Sequence, residues 1–335
     1  MTNFEPEPGA KAEEKATPKA ASEMAELEPQ STVVAADAED AAAESDDQHI
    51  SRGRLIAKRF WRPLGAKIGV AMLSVIILLA LFGPYIGQWR YDDVDSEWFL
   101  SPPSNLHWFG TTQGGRDVFA MSMEGLRKSL IIGFSVAILQ VLLASLIGAS
   151  AAFFGGRVEK SILWLIDLML VIPSFLLIAI ISQNTGGDKG STWLFILMLV
   201  AFSWMLSARV VRAMTLSVVN LDYVNAARFM NVPSWTTITK HVIPNISSYL
   251  IIDGTLAVAG AIISETALSY FGFGVQAPET SLGTLLSEGT QTATTFPWVF
   301  LAPAALLVLT LLSVNFIGDS LRDAIDPSSK SGGQA

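Results

Sequence analysis

Three carboxylates, Asp167, Asp253 and Glu265, lie inside apolar runs long enough to cross a membrane. An ionisable group there is a functional candidate by default, because removing its charge from water is costly. The chemistry open to the three is a proton relay. All sit toward the ends of their runs, which favours helix-packing or water-exposed structural roles instead. Gly110 to Asp117, GTTQGGRD, mimics the Gly, four residues, Gly spacing of a phosphate loop. Arg116 stands where the lysine belongs, however, and Asp117 where a Ser or Thr would hold magnesium. A positioned turn with Arg116 and Asp117 paired is the better reading. The three histidines, His49, His107 and His241, fall in a tail and two separate loops and cannot share a site. The chain has no cysteine, which excludes disulfides, thiolate metal sites and Cys nucleophiles. A non-catalytic protein is expected, with no metal and no cofactor bound by this chain.

The elements that carry these residues are membrane helices. Hydrophobic residues make up 51% of the 335, and mean hydropathy is +0.45. Six segments approach the ~20 apolar residues that a spanning helix needs: roughly 66 to 86, 129 to 153, 162 to 182, 192 to 208, 249 to 270 and 298 to 317. Asp167 costs about +3 kcal/mol near a helix centre, but the surrounding Leu, Ile, Val and Phe side chains, at about −0.3 to −0.6 kcal/mol each, outweigh it. Pro173 removes one helix hydrogen bond and should kink the third span. Small residues at spacing four, Ala144, Gly148 and Ala152 in the second span and Gly260 and Ser264 in the fifth, suit close helix packing, with a pore-lining face as the less common alternative.

Charge sets the orientation. Residues 1 to 50 hold 13 acids against three lysines, net −10, so the rest of the chain is +2 within a total of −8. That tail has too little apolar surface to offset its ordering entropy and is expected to be a disordered, solvated spacer. Six Lys/Arg lie between Arg52 and Lys67, two in 155 to 160, four in 209 to 248 and two in the C-terminal tail. The opposite loops, 87 to 128, 183 to 191 and 271 to 297, carry four, one and none. By the positive-inside bias both termini and the loop 209 to 248 are cytoplasmic. In the first outer loop, the clustered acids and aromatics of YDDVDSEWFL at 91 to 100 could touch a binding protein or a cationic substrate; the favoured reading is a solvated loop with Trp89, Trp98 and Trp108 anchored at headgroups.

Within the cytoplasmic loop, Asp222 can cap a helix by accepting from backbone amides two or three residues on. Tyr223, Ala226, Ala227 and Met230 then fall at i, i+3, i+4 and i+7, one apolar face. Asn231 tolerates left-handed dihedrals and suits the C-terminal cap, and Pro233 cannot continue the helix. Ser234 is placed to cap a second short helix through Trp235 to His241, ended by Pro244. Periodicity alone leaves open an amphipathic hairpin lying on the bilayer.

This segment resembles the cytoplasmic EAA loop of ATP-binding-cassette importer permeases, whose pattern is Glu-Ala-Ala, three residues, Gly, then an apolar-Pro pair. Ala226, Ala227, Arg228, Ile243 and Pro244 match in type and spacing; Asn225 stands for the usual Glu and Asn231 for the usual Gly. HWFGTTQGGRDVF at 107 to 119, SETALSYFGFGVQAPETSLGTLL from Ser264 and GDSLRDAIDP at 318 to 327 resemble, in order, stretches of the dipeptide, oligopeptide and nickel permeases. The likeness is to their C-type subunit and covers about residues 52 to 330.

The resemblance implies an all-α polytopic membrane protein with the six transmembrane helices of a type I importer permease. Its organisation would be a disordered acidic cytoplasmic tail (1–50), an N-terminal segment with the first span and outer loop (51–128), a core permease domain with the coupling loop 209–248 (129–320) and a cytoplasmic tail (321–335). It further implies half of a translocation path for di- or oligopeptides in a bacterial cell membrane, with nickel or another small solute as the alternative. A proton-coupled secondary transporter is disfavoured, since no repeat with paired broken helices is visible. Implied partners are a homologous second permease, two cytoplasmic ATPases that carry ATP and Mg, an extracytoplasmic solute-binding protein and membrane lipid, with no nucleic acid. The ATPase would dock on Asp222, Tyr223, Asn225, Ala226, Ala227, Arg228, Phe229, Met230, Asn231 and Pro244. On this reading Ala227→Asp should uncouple ATP hydrolysis from transport by burying a charge at the docking face.

Overall fold

The computed structural model describes residues 52–184 and 192–325. The expected acidic tail, the tip of the loop 183 to 191 and the C-terminal tail beyond residue 325 lie outside the described residues. The chain divides into two units after Leu55. Of the first, only the opening of helix α1 (Arg52–Phe60) is described; every other described element belongs to the second, from Ile56 onward.

The described chain is helical apart from its turns. Helix α2 (Leu64–Ile86) leads through an ordered segment to α3 (Val118–Phe154); α4 (Gly156–Val171) and α5 (Ser174–Asn184) form a bent pair; α6 is Thr192–Val218. Helix α7 (Asp222–Phe229) precedes α8 (Ser234–Thr237), a π-helical turn (Ile238–Val242), a 3-10 turn (Ile243–Ile246) and α9 (Ser247–Tyr270). Helices α10 (Leu282–Thr290) and α11 (Pro297–Ile325) complete it.

Five helices are long and apolar enough to cross a membrane, and the bent pair α4–α5 makes a sixth crossing if taken as one span. The bend is 73°, at Ile172 and Pro173. The kink expected from Pro173 is therefore a break. The residue before a proline is driven from helical to extended dihedrals, and Ile172 has ψ 124°.

Several helices outrun their apolar stretches. At 1.5 Å per residue, 37 residues make α3 about 55 Å long, against a hydrocarbon thickness of about 30 Å. It starts eleven residues ahead of the apolar run because Asp117 caps it, accepting from Ala120 N at 2.7 Å. The other Asp117 oxygen accepts from His107 Nδ1 at 2.8 Å. The expected Arg116–Asp117 pair is thus replaced by a His107–Asp117 pair, while Arg116 is exposed. The turn itself is as expected: Thr112 N donates to Arg116 O, and Gly110 and Gly115 take positive φ. His107 is buried, stacks on Trp89 at 4.9 Å and has Nε2 3.5 Å from Asp95. Trp89 is therefore half-buried against His107, whereas Trp98 and Trp108 are exposed.

Helix α3 is the axis of the bundle, packed along α6 and α9, while α11 packs along α2, α9 and α10. The small-residue ridge of the second span works as expected. A Cβ on Gly148 would collide with the Ala208 carbonyl and approach Val211 Cβ to 2.9 Å. Gly260 differs: nothing lies within 4 Å of a Cβ built there, and Ser264 beside it is exposed.

Opposite the α7 end, Lys128 Nζ reaches Glu279 Oε1 at 2.9 Å and Thr192 Oγ1 donates to Glu279 Oε2 at 2.6 Å, tying α3, α6 and the α9–α10 loop together. Burial alone would raise the Glu279 carboxyl, but bonds from Thr192 and Lys128, with the lysine charge, hold it below the usual glutamate range.

Two outcomes are expected in detergent melts. Gly148→Val should destabilise by roughly 1–3 kcal/mol through overpacking, and Gly260→Ala should be near neutral. Equal losses would show that the α3–α6 approach is not as described. Second, the Tm gap between the protein and Glu279→Gln should be full above the ordinary glutamate value of 4.5 and close as pH falls through the lower folded value. A gap that persists in acid would mean that Glu279 acts other than as a carboxylate.

Candidate functional site

Helix α7 and its flanks form an elbow. Leu221 occupies the N-cap position with extended backbone and no side-chain cap. Asp222 is therefore the first helical residue, not the cap, and acts only through its charge at the positive end of the helix. The other end is as expected. Asn231 has φ +56°, its N–H donates to Arg228 O at 3.0 Å, and Val232 N donates to Ala227 O at 3.1 Å. These are the two bonds of a Schellman closure with Asn in the left-handed position, and Pro233 comes two residues later.

The apolar face expected from Tyr223, Ala226, Ala227 and Met230 is divided. Val224 and Ala227 are buried, with Val224 in a cluster that includes Val211, Ile238, Val242 and Ile246. Tyr223, Ala226 and Met230 point away with Phe229. Periodicity marks an apolar stripe but cannot say that this chain covers half of it. Ala227→Asp would thus place a charge in the protein's own core and report on folding rather than docking.

Arg228 and Asn225 are partly used at home. The Arg228 guanidinium lies 4.3 Å from the Phe153 ring centroid and donates to Phe153 O at 3.3 Å, clamping α7 to the end of α3. Asn225 Nδ2 donates to Asn220 O at 3.2 Å across the turn. What remains outward is an apolar knob: Phe229 is 91% exposed and Met230 72%, with Tyr223, Leu221 and Trp235 around them.

The second loop helix does not stop at Pro244. Ser234 comes after Pro233 at the N-cap and caps nothing. From there one helical rod of 37 residues runs to Tyr270. Pro244 lacks an N–H, and the helix widens just before it: Ile243 N donates five residues back to Ile238 O, and Asn245 Nδ2 donates to His241 O at 2.8 Å. The second loop helix and the fifth span are thus one rod.

Farther along, that rod walls a cleft of about 410 Å³. Gln140 from α3, Ser174 and Phe175 from α5, Phe202 and Ser203 from α6, and Gly260 and Ser264 from α9 line it. The small residues Gly260 and Ser264 thus shape a cavity instead of a packed contact. Sequence reading missed Gln140, although a lone amide in FSVAILQVLLASLIG is a visible signal.

The three carboxylates differ. Asp167 forms an ion pair with Arg209, and on the same helix pair Glu159 meets Arg212. Glu265 is fully buried and accepts from Ser129 Oγ at 2.9 Å and Ser269 Oγ at 2.7 Å. Those hydroxyls accept in turn from Leu282 N and Val275 N, so Glu265 pins the α9–α10 connection. Helix packing, expected for Asp167 and Glu265, is what both do. Asp253 accepts from Ser207 Oγ and Tyr249 OH.

Comparison with known proteins agrees with this architecture. Residues 140–331 match the family described as "Binding-protein-dependent transport system inner membrane component", and residues 51–103 match the "N-terminal TM domain of oligopeptide transport permease C". The oligopeptide transport system permease protein OppC of Mycobacterium tuberculosis (strain H37Rv) is 45% identical over 281 residues, 84% of this chain and 96% of the relative. OppC of Bacillus subtilis is 34% identical over 262 residues, 78% and 85% of the two chains. A putative peptide permease protein of Brucella suis is 35% identical over 273 residues, 81% and 89%. With its membrane-length helices, elbow and cleft, the chain belongs to the family of binding-protein-dependent transport inner-membrane components, as a C-type permease similar to those of oligopeptide transport.

Proposed function

We propose that this chain is one half of the translocation path of an ATP-driven peptide importer and that the elbow receives the stroke of a partner ATPase. The observation that carries the reading is mechanical: an exposed apolar knob at Phe229 and Met230 sits on an elbow packed against a rod whose far part walls the cleft. Exposed aromatic and Met side chains of this kind suit a groove on a partner. The docking surface is Tyr223, Ala226, Phe229 and Met230, with Asp222 and Asn231 at its ends. Arg228 and Asn225 hold its shape, and Ala227 seats it.

The charge distribution along the sequence supports cytoplasmic termini and a cytoplasmic elbow. ATP and Mg would belong to two partner ATPases, and a homologous second permease would supply the other half of the path. A solute-binding protein would deliver the peptide, the substrate class named for the relatives. Nucleotide and substrate would bias two states of the rod, which is what alternating access requires.

Reconstituted with its partners, the chain should take up peptide with ATP and not with a proton gradient alone. Uptake by the isolated chain on a gradient would overturn the reading. Phe229→Ala should weaken ATPase docking by about 2 kcal/mol, roughly 30-fold, and leave the fold within about 0.5 kcal/mol because the side chain is exposed. Unchanged docking and transport would remove the knob from the mechanism.

A further inference from the structure

A hydrogen-bonded chain crosses three helices next to the cleft. Gln140 Nε2 donates to Ser207 Oγ at 3.4 Å, and Ser207 Oγ donates to Asp253 Oδ1 at 3.1 Å. Tyr249 OH donates to the same oxygen at 3.2 Å. Asp253 stands one turn before Ala257 on α9, and Ser207 one turn after Ser203 on α6; Ala257, Ser203 and Gln140 all line the cleft. Because α6 and α9 run in opposite directions, both displacements lead toward the elbow. The chain therefore lies just beneath the cleft on its elbow side, with Gln140 in the lining itself and Ser207 and Asp253 one turn below it.

The floor is short of a cation. Asp253 Oδ2 is buried and has no hydrogen-bond partner. An ionised carboxylate can accept about four bonds, and a buried acceptor left unpaired is costly. The nearest arginines on α6, Arg209 and Arg212, are committed to Asp167 and Glu159, and among the described residues no Lys or Arg forms an ion pair with Asp253. With its amide nitrogen engaged by Ser207, Gln140 keeps Oε1 as an acceptor. The Ser203 hydroxyl can accept as well. An ammonium group has three hydrogens and no acceptor, the complement of these three oxygens, and Phe202 and Phe175 on the cleft wall add aromatic faces of the kind that attract cations.

We propose that Asp253, held by Ser207 and Tyr249 at the floor of the cleft, is a transient docking point for an ammonium group of the translocated solute, such as the N-terminus of a peptide. The substrate half of this proposal rests on the peptide-importer reading, whereas the cation preference of the cleft floor does not. A single partly hydrated ion pair suits a path, since a station that binds too well stops conduction.

The test uses the assembled importer in proteoliposomes. This chain has no cysteine, so Ala257→Cys gives it a single thiol, whose modification is read by mass spectrometry of this subunit. A trimethylammonium methanethiosulfonate should react about tenfold faster than the sulfonate reagent, relative to their rates with a free thiol, as one nearby negative charge in a partly wet site predicts. Adding Asp253→Asn should bring the ratio near one, and Asp253→Glu should restore it. A ratio that Asp253→Asn leaves unchanged overturns the proposal. So does a thiol that neither reagent reaches, or a ratio near one with Asp253 intact, which needs no second variant to fold. In the same vesicles, uptake of trialanine should fall several-fold with Asp253→Asn. Absence of ATP-driven trialanine uptake by the unsubstituted importer, with the charge ratio intact, would sink the peptide reading alone and leave the cation site standing.

Discussion

A helix interior has to do without the backbone hydrogen that a proline lacks, and the rod from Ser234 to Tyr270 depends on how this chain carries its helix through Pro244. A proline in a helix interior ordinarily costs a hydrogen bond and about 3 kcal/mol, and ends or kinks the helix. Here the turn before it widens, Ile243 bonds back to Ile238, and the Asn245 side chain serves the His241 carbonyl. The helix continues from Ser234 into the fifth span. Under the proposed function, a rod broken at Pro244 would let a push on Phe229 dissipate in a hinge before it reached the cleft.

Much of this was legible in the sequence, and the failures share a cause. Apolar runs located the crossings, and Asn231 followed by Pro233 announced a left-handed closure that the structure has. These signals are local: a dihedral preference, a missing donor, a run of transfer free energies. The errors arose where a local signal had a tertiary answer. Pro244 reads as a stop because its missing donor is visible, while the five-residue bond from Ile243 to Ile238 that widens the turn before it is not. Asp222 reads as a cap because its type is right, yet Leu221 takes the cap position. The Tyr223, Ala226, Ala227, Met230 stripe is apolar all along, but Ala227 and the off-pattern Val224 meet the protein's own core. No periodicity distinguishes a face covered from within from one left for a partner.

The carboxylates make the same point energetically. Asp167, Asp253 and Glu265 look alike in sequence, each a charge among aliphatic side chains. Glu265 is surrounded by hydroxyls whose own bonds reach the α9–α10 connection, so its burial is compensated by a network. Asp167 meets an arginine on the next helix. Of these three, Asp253 has one oxygen satisfied and one idle. Partner geometry, which one sequence does not carry, separates a strut from a station.

The two ends of the bundle are tied differently, and this decides how the rod can respond to a push. At the Tyr270 end it is held by the Glu265 network, by the bridge of Lys128, Thr192 and Glu279 just beyond it, and by the packing of α10 and α11. At the elbow end the links are fewer and less directional: one guanidinium over the Phe153 ring, one long bond to its carbonyl, and an apolar cluster. A lever anchored at one end and loosely seated at the other swings rather than translates. The cleft and the Asp253 floor lie between those ends, so under the proposed function a stroke at Phe229 would change the spacing between α9 and α6 most on the elbow side of the cleft. Ser207 and Asp253, which bridge those two helices at 3.1 Å, are where that opening would first be felt.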